Sequence, residues 1–144
     1  MSLKDGSKKM SKSELSDLSR INLTDDKDMI VNKIKKAKTD PLPMPSNIKD
    51  LDKRPEAKNL IGIYSSLSGS SLEKCIEDFS GKNFSLFKEN LSQVLVEKID
   101  PISNEIKKLL KDKKYLDEIL YQGYKKANLI AVEKIKKIHE IVGF

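Results

Sequence analysis

Apolar residues recur every three or four positions along most of this chain, and no segment alternates apolar and polar residues with period two. The first spacing places side chains on one face of an α-helix, whereas alternation would be needed for a half-buried strand. We therefore predict an all-α fold, a bundle of about five helices. The apolar stripes run through about 30–37, 60–67, 72–79, 84–110 and 115–142.

The first 22 residues have no such stripe and are predicted to form a loop. Because they have no apolar face to bury, we expect this arm to be mobile. A first helix is predicted over 25–38, with Thr24, Asp25 and Asp26 as N-cap candidates. The helical part of the chain is thus expected to occupy residues 23–144.

Three prolines between residues 41 and 45 interrupt this helical part. Proline lacks the backbone N–H that a helix interior needs, so we predict an extended, proline-rich connector over 40–53. Ser70 followed by Glu73 is typical of a capping box at the start of a helix over 72–79. Cys75 lies on the stripe of that helix and is interpreted as a core residue.

Two long helices are predicted after residue 83. Pro101 interrupts the first, and a kink is expected rather than a break because the apolar stripe resumes in phase. Asp112 is the predicted cap of the last helix. On that helix Gly123 and Ala127, four residues apart, are expected to leave room for a close helix neighbour.

The chain is basic, with 28 cationic and 22 anionic side chains and a formal net charge of +6. The excess lies at the two ends, which is compatible with phosphate or nucleic-acid contact but also with solvated helix faces. One cysteine and one histidine exclude a disulfide framework and a Cys/His zinc site within the chain, so no metal ligand is predicted. There is no apolar run long enough to span a membrane, and the N-terminus has no signal-peptide pattern.

One short segment of the N-terminal loop carries a chemical signal: Lys9-Met10-Ser11-Lys12-Ser13. Each lysine ammonium is a point charge with three donors, and the serine hydroxyls can also donate to phosphate oxygens. Flexibility of such a loop would suit a charge that develops only in a transition state. The segment is therefore predicted to bind phosphate groups.

This segment resembles the KMSKS signature of class I aminoacyl-tRNA synthetases. The flanking sequences, including INLTDDKDMIVNKIKKAKTD, RPEAKNLIGIYSSLSG and the terminal IVGF, are similar to the tryptophanyl-tRNA synthetase family in the same order. The resemblance covers essentially the whole chain. It implies a ligase that activates tryptophan with ATP and transfers it to its tRNA in the cytoplasm.

The resemblance also implies roles for individual residues. Lys9 and Lys12 would bind the ATP phosphates, with Lys12 stabilising the leaving pyrophosphate; Ser11 and Ser13 would donate to phosphate oxygens, and Met10 would contact the adenine side through its backbone. Mg²⁺ would come with ATP. Residues 1–22 would be the KMSKS loop at the end of a Rossmann catalytic domain, and residues 23–144 an anticodon-binding helical domain.

The family's other signature, HIGH, and a tryptophan pocket are not found in these residues. The chain is therefore interpreted as a C-terminal part of the enzyme, expected to be inactive by itself, and the homodimer of the family would form through the Rossmann half. The alternative is a stand-alone helical module that binds RNA or another partner without catalysis.

Overall fold

The computed structural model of the chain describes residues 1–143. It contains a 3-10 turn, Asp17–Ser19, and six α-helices: α1 Lys27–Lys36, α2 Ile48–Leu51, α3 Pro55–Ser68, α4 Leu72–Phe79, α5 Phe84–Lys111 and α6 Lys113–Val142. No strand occurs within these 143 residues, so the predicted all-α class is confirmed. Two compact units divide the chain, Met1–Asn104 and a second that begins at Glu105.

Helix α1 begins later than predicted because Asp26 is its N-cap. The Asp26 carboxylate accepts a hydrogen bond from the Met29 amide at 2.9 Å. Asp25, another cap candidate, is instead buried and pairs with Lys33. Helix α1 ends at Lys36, where the Lys88 ammonium donates to the carbonyls of Lys35 and Ala37. Burial lowers the pKa of Lys88.

The predicted connector contains a short helix, so it is not extended throughout. Asn47 caps α2 by accepting a hydrogen bond from the Asp50 amide at 3.0 Å. Before it, buried Met44 forms backbone hydrogen bonds with Lys82 and Gly81, at 2.8 and 3.1 Å. The four residues of α2 are too few for a periodic stripe to reveal.

Helices α3 and α4 agree closely with the predicted boundaries. Gly69 ends α3 with a φ of 75°, in the left-handed region that favours glycine. The cap of α4 is Ser71, which accepts from the Lys74 amide at 3.2 Å; the capping box predicted at Ser70 is wrong by one residue. Cys75 is buried as predicted, and burial raises the pKa of its thiol.

An aromatic cluster joins α3, α4 and α5 in the core of the first unit. The Phe79 ring lies edge-on to Tyr64 and Phe87, with centroids 5.2 and 4.9 Å away. Such pairs contribute roughly 0.5–1.5 kcal/mol beyond the burial of their area. The cluster fixes α3 against the start of α5, where Phe87 and Leu91 are fully buried.

Helix α5 continues through Pro101, which confirms that the proline does not break it. The division between the two units falls within this helix, after Asn104. Proline inside a helix removes one backbone hydrogen bond and costs about 3 kcal/mol or more. The residue before it, Asp100, pairs with Lys27 at 3.3 Å, which ties this part of α5 to the start of α1.

Helix α6 begins at the predicted cap, since Asp112 accepts from the Tyr115 amide at 3.0 Å. No residue of α6 is buried, and a Cβ built at Gly123 would meet nothing within 4 Å apart from its chain neighbours and the adjacent backbone of its own helix. Gly123 therefore has room for a neighbouring helix, and what packs against Gly123 and Ala127 stays a prediction. An apolar stripe shows which face a helix can bury, but not what covers it.

None of the helices within residues 1–143 has both the length and the apolarity to cross a membrane.

Candidate functional site

The KMSKS segment, residues 9–13, lies outside the helices and is exposed along its whole length. Even Met10, its one apolar side chain, is 42% exposed. The segment is short of backbone hydrogen bonds; the Glu14 amide that follows it donates to the Ser11 carbonyl over 3.4 Å. Its polar groups are thus accessible to a ligand from solvent.

The two serines of the segment lie side by side. Their hydroxyl oxygens are 3.0 Å apart, and the Ser13 amide donates to the Ser11 hydroxyl at 3.3 Å. A tight turn with neighbouring hydroxyl and amide donors can hold the oxygens of one phosphate group. The structure therefore brings together two of the five predicted site residues.

The two lysines of the segment, Lys9 and Lys12, have no acidic partner within residues 1–143. The adjacent Lys8, by contrast, lies 3.6 Å from the Asp5 carboxylate. Lys9 and Lys12 can therefore meet an incoming anion without first leaving an acidic partner.

The N-terminal side of the segment is anchored in the core, contrary to the expected mobile arm. Leu3 is only 4% exposed and belongs to the hydrophobic core. Its amide donates to the Ser19 carbonyl at 2.9 Å, and its carbonyl accepts from Lys38 at 2.8 Å. The arm buries one apolar side chain and not a stripe, so helical periodicity could not reveal the anchor.

A turn at Asp5, Gly6 and Ser7 leads from this anchor to the KMSKS segment. The Asp5 carboxylate accepts from the Ser7 hydroxyl and amide at 2.6 and 3.1 Å, and these hydrogen bonds hold the Asp5 pKa below its usual value. A Cβ at Gly6 would lie 2.5 Å from the carbonyl of Pro55. Only glycine allows this loop to pack so closely on the start of α3.

The C-terminal side of the segment is held by an ion cluster around Lys33, a buried residue of α1. The Lys33 ammonium lies 2.6 Å from the Asp25 carboxylate and also contacts Asp17. Asn22 joins the two carboxylates: its amide side chain donates to Asp17 at 2.9 Å and its backbone amide to Asp25 at 2.8 Å. The hydrogen bond from Lys33, followed by that from Asn22, lowers the pKa of Asp17. The segment between the KMSKS loop and α1 is thereby fixed.

Sequence reasoning missed this cluster, although one signal was present. Lys33 lies three residues after Ile30 and four before Ala37, within the buried stripe of α1. A lysine at such a position needs an acidic partner, because an unpaired buried charge is strongly unfavourable. No comparable signal identified Gly6, whose neighbour Pro55 is distant in sequence.

Comparisons with known proteins identify the family of this chain. The family model described as tRNA synthetases class I (W and Y) matches residues 1–100. The chain belongs to this family.

Curated relatives match over the whole chain. It is 50% identical over 144 residues to the tryptophan–tRNA ligase of Agrobacterium fabrum, with 100% of this chain and 41% of the relative covered. The corresponding protein of Mesorhizobium japonicum is 49% identical, with 99% of this chain and 40% of the relative covered. The chain thus spans about two fifths of the length of these relatives, and it matches a C-terminal part of them.

A solved structure is also similar. The crystal structure of tryptophanyl-tRNA synthetase from Mycoplasma pneumoniae matches with a TM-score of 0.57 and 26% identity. The match covers 75% of this chain and 34% of that one.

Proposed function

We propose that this chain is part of a tryptophan–tRNA ligase and supplies its phosphate-binding loop and a tRNA-binding helical region. The enzyme would join ATP and tryptophan to give tryptophanyl-adenylate and pyrophosphate, and would then transfer the aminoacyl group to the tRNA. The strongest support is the identity of about one half to relatives with that name over the whole chain.

Within the loop we assign separate roles to the predicted residues. Lys9 and Lys12 would both bind the ATP phosphates. Lys12 would in addition stabilise the charge that develops on the leaving pyrophosphate. Ser11 and Ser13 would donate to phosphate oxygens, while Met10 would contact the adenine side through its backbone. This division suits a loop whose two ends are fixed and whose polar groups face solvent.

The remaining partners follow from the same proposal. Mg²⁺ would bind with ATP, whose phosphate oxygens are the hard ligands that this ion prefers, and we assign it no ligand from this chain. The helical region would contact the tRNA for tryptophan. The whole enzyme would act as a cytoplasmic homodimer, with tryptophan bound outside these residues.

A titration of the ¹⁵N-labelled chain with pyrophosphate tests the loop assignment. At low ionic strength the amide signals of residues 9–13 should shift, and Lys12→Ala should weaken binding about tenfold, a typical value for one charge-assisted contact. The matched control is Lys49→Ala, which removes the same charge from an exposed position on α2. Equal affinity for Lys12→Ala and the unaltered chain would contradict the assignment.

A further inference from the structure

Arginine is rare in this chain, and both arginines occupy special positions. Of the 28 cationic residues only Arg20 and Arg54 are arginine. A guanidinium can hold several acceptors at once in a planar fork, whereas an ammonium is a compact point charge. Positions where a lysine-rich chain uses arginine are therefore those where one side chain must bind more than one group.

Arg54 shows this use clearly. Its guanidinium donates to both oxygens of Asp40, at 2.9 and 2.6 Å, and to the Leu42 carbonyl at 3.3 Å. It thereby holds the connector against the start of α3.

Arg20 makes the same kind of contacts at the KMSKS loop. Its Nη2 lies 3.2 Å from Asp17, and its Nε donates to the Asn22 side chain at 3.3 Å. Its Nη1 donates to the backbone carbonyl of Glu14 at 3.2 Å. Glu14 directly follows Ser13, so the third contact holds the end of the KMSKS segment.

The groups that hold Arg20 are themselves fixed from the core. Asp17 contacts the buried Lys33, and Asn22 donates to both Asp17 and Asp25. The Arg20 side chain is only 20% exposed, so water competes less for its hydrogen-bond donors. Continuous polar contacts therefore run from α1 to the Glu14 carbonyl.

We propose that Arg20 is a positioning residue for the KMSKS segment, residues 9–13. By holding the Glu14 carbonyl it fixes the C-terminal end of this segment, and so sets the position from which Lys12 and the two serine hydroxyls meet a phosphate. Arg20 acts through the backbone of Glu14 and does not itself contact the phosphate. This inference rests on the proposed phosphate-binding function of the loop.

The test compares Arg20→Lys with Arg54→Lys in the ¹⁵N-labelled chain. Both variants keep the charge and lose the fork, but only the first acts at the loop. In Arg20→Lys the backbone order parameters of residues 13–15 should fall below about 0.6, the range of flexible backbone. Pyrophosphate affinity should fall about three- to tenfold, as expected when one or two hydrogen bonds are lost. Arg54→Lys should change neither quantity at the loop.

Two results would overturn the inference: order parameters at 13–15 that do not change in Arg20→Lys, or an equal loosening of the loop in Arg54→Lys. If the unaltered chain does not bind pyrophosphate, the proposed function fails, while the order parameters still decide whether Arg20 fixes the loop. Should Arg20→Lys fail to fold, Asn22→Ala removes one support of the guanidinium and should loosen the same residues to a smaller extent. An Asn22→Ala chain with an unaltered loop would then overturn the inference.

Discussion

Lys33 and Asp25 form an ion pair of 2.6 Å in which both side chains are almost completely buried, at 3% and 1% exposure. The pair joins the first helix to the residues that follow the KMSKS loop. Buried pairs contribute little compared with well-packed apolar residues, but they are costly to break because the remaining charge has no partner. In this chain the ion pair between Lys33 and Asp25 holds the segment between Asp17 and α1 in one position.

Replacing Lys33 with methionine should therefore destabilise the chain strongly. The Asp25 carboxylate would stay buried without its cation, and breaking such pairs costs about 3–5 kcal/mol. Urea unfolding of Lys33→Met measures the loss. Adding Asp25→Asn should recover much of it, because asparagine is neutral and can still accept from the Asn22 amide.

Lys137→Met is the matched control, since Lys137 pairs with Glu133 at 2.7 Å on the exposed face of α6. This substitution should leave stability almost unchanged. A similar loss for Lys33→Met and Lys137→Met would contradict the special cost of the buried pair.

Two glycines should respond to alanine in opposite directions. At Gly6 the new Cβ would lie 2.5 Å from backbone atoms of Pro55, so Gly6→Ala should destabilise the chain by about 1–3 kcal/mol through overpacking. At Gly62, inside α3, nothing lies within 4 Å, and Gly62→Ala should stabilise by about 0.5–1 kcal/mol. Thermal unfolding compares them directly, and a Gly6→Ala chain as stable as Gly62→Ala would refute the close packing.

The contact between Asp40 and Arg54 should make stability depend on pH. Burial is the largest single influence on the Asp40 pKa and raises it, but the hydrogen bonds and charge of Arg54 and the hydrogen bond from the Leu42 amide together outweigh burial. The Asp40 pKa therefore lies below its ordinary value of 3.8. The contribution of a carboxyl with a lowered pKa is fully present above pH 3.8 and is lost as the pH falls through the folded-state pKa.

Asp40→Asn should therefore lower the free energy of unfolding by about 1 kcal/mol at pH 6 and by less at pH 2 to 3. Urea unfolding across this range gives the comparison. An effect of Asp40→Asn that is equally large at both ends of the range would show that the charge of Asp40 is not responsible.

The fold was predictable from sequence wherever a stripe and a cap occur together. Asp112 and Gly69 mark helix ends as expected, because capping depends on local backbone geometry. The anchors of the loop were not predictable in this way. Leu3 and Ser19 meet through tertiary contacts of single residues, and no local periodicity encodes them.

For the candidate site, too, the sequence predicts the motif but not the residues that support it. The KMSKS segment is recognisable from its short motif of lysines and serines, and its exposure agrees with the absence of apolar periodicity around it. The supports of the loop depend on which acidic residue meets Lys33 and which carbonyl meets Arg20. Both are questions of three-dimensional distance, which spacing along the chain does not answer.

Lys12 should act mainly in the catalytic step of the whole enzyme. Because this chain spans about two fifths of its relatives, the activity is measured in a chimera that joins the rest of the Agrobacterium fabrum ligase to it. In that protein Lys12→Ala should lower kcat for tryptophan-dependent pyrophosphate exchange by about 10²–10⁴, the effect of removing one preorganised group from a developing charge. The KM for ATP should change much less, since the contact strengthens in the transition state. Lys8→Ala is the control, because Lys8 is adjacent but faces Asp5 at 3.6 Å. A normal kcat in Lys12→Ala, or an equal loss in Lys8→Ala, would exclude Lys12 as the residue that stabilises the leaving pyrophosphate.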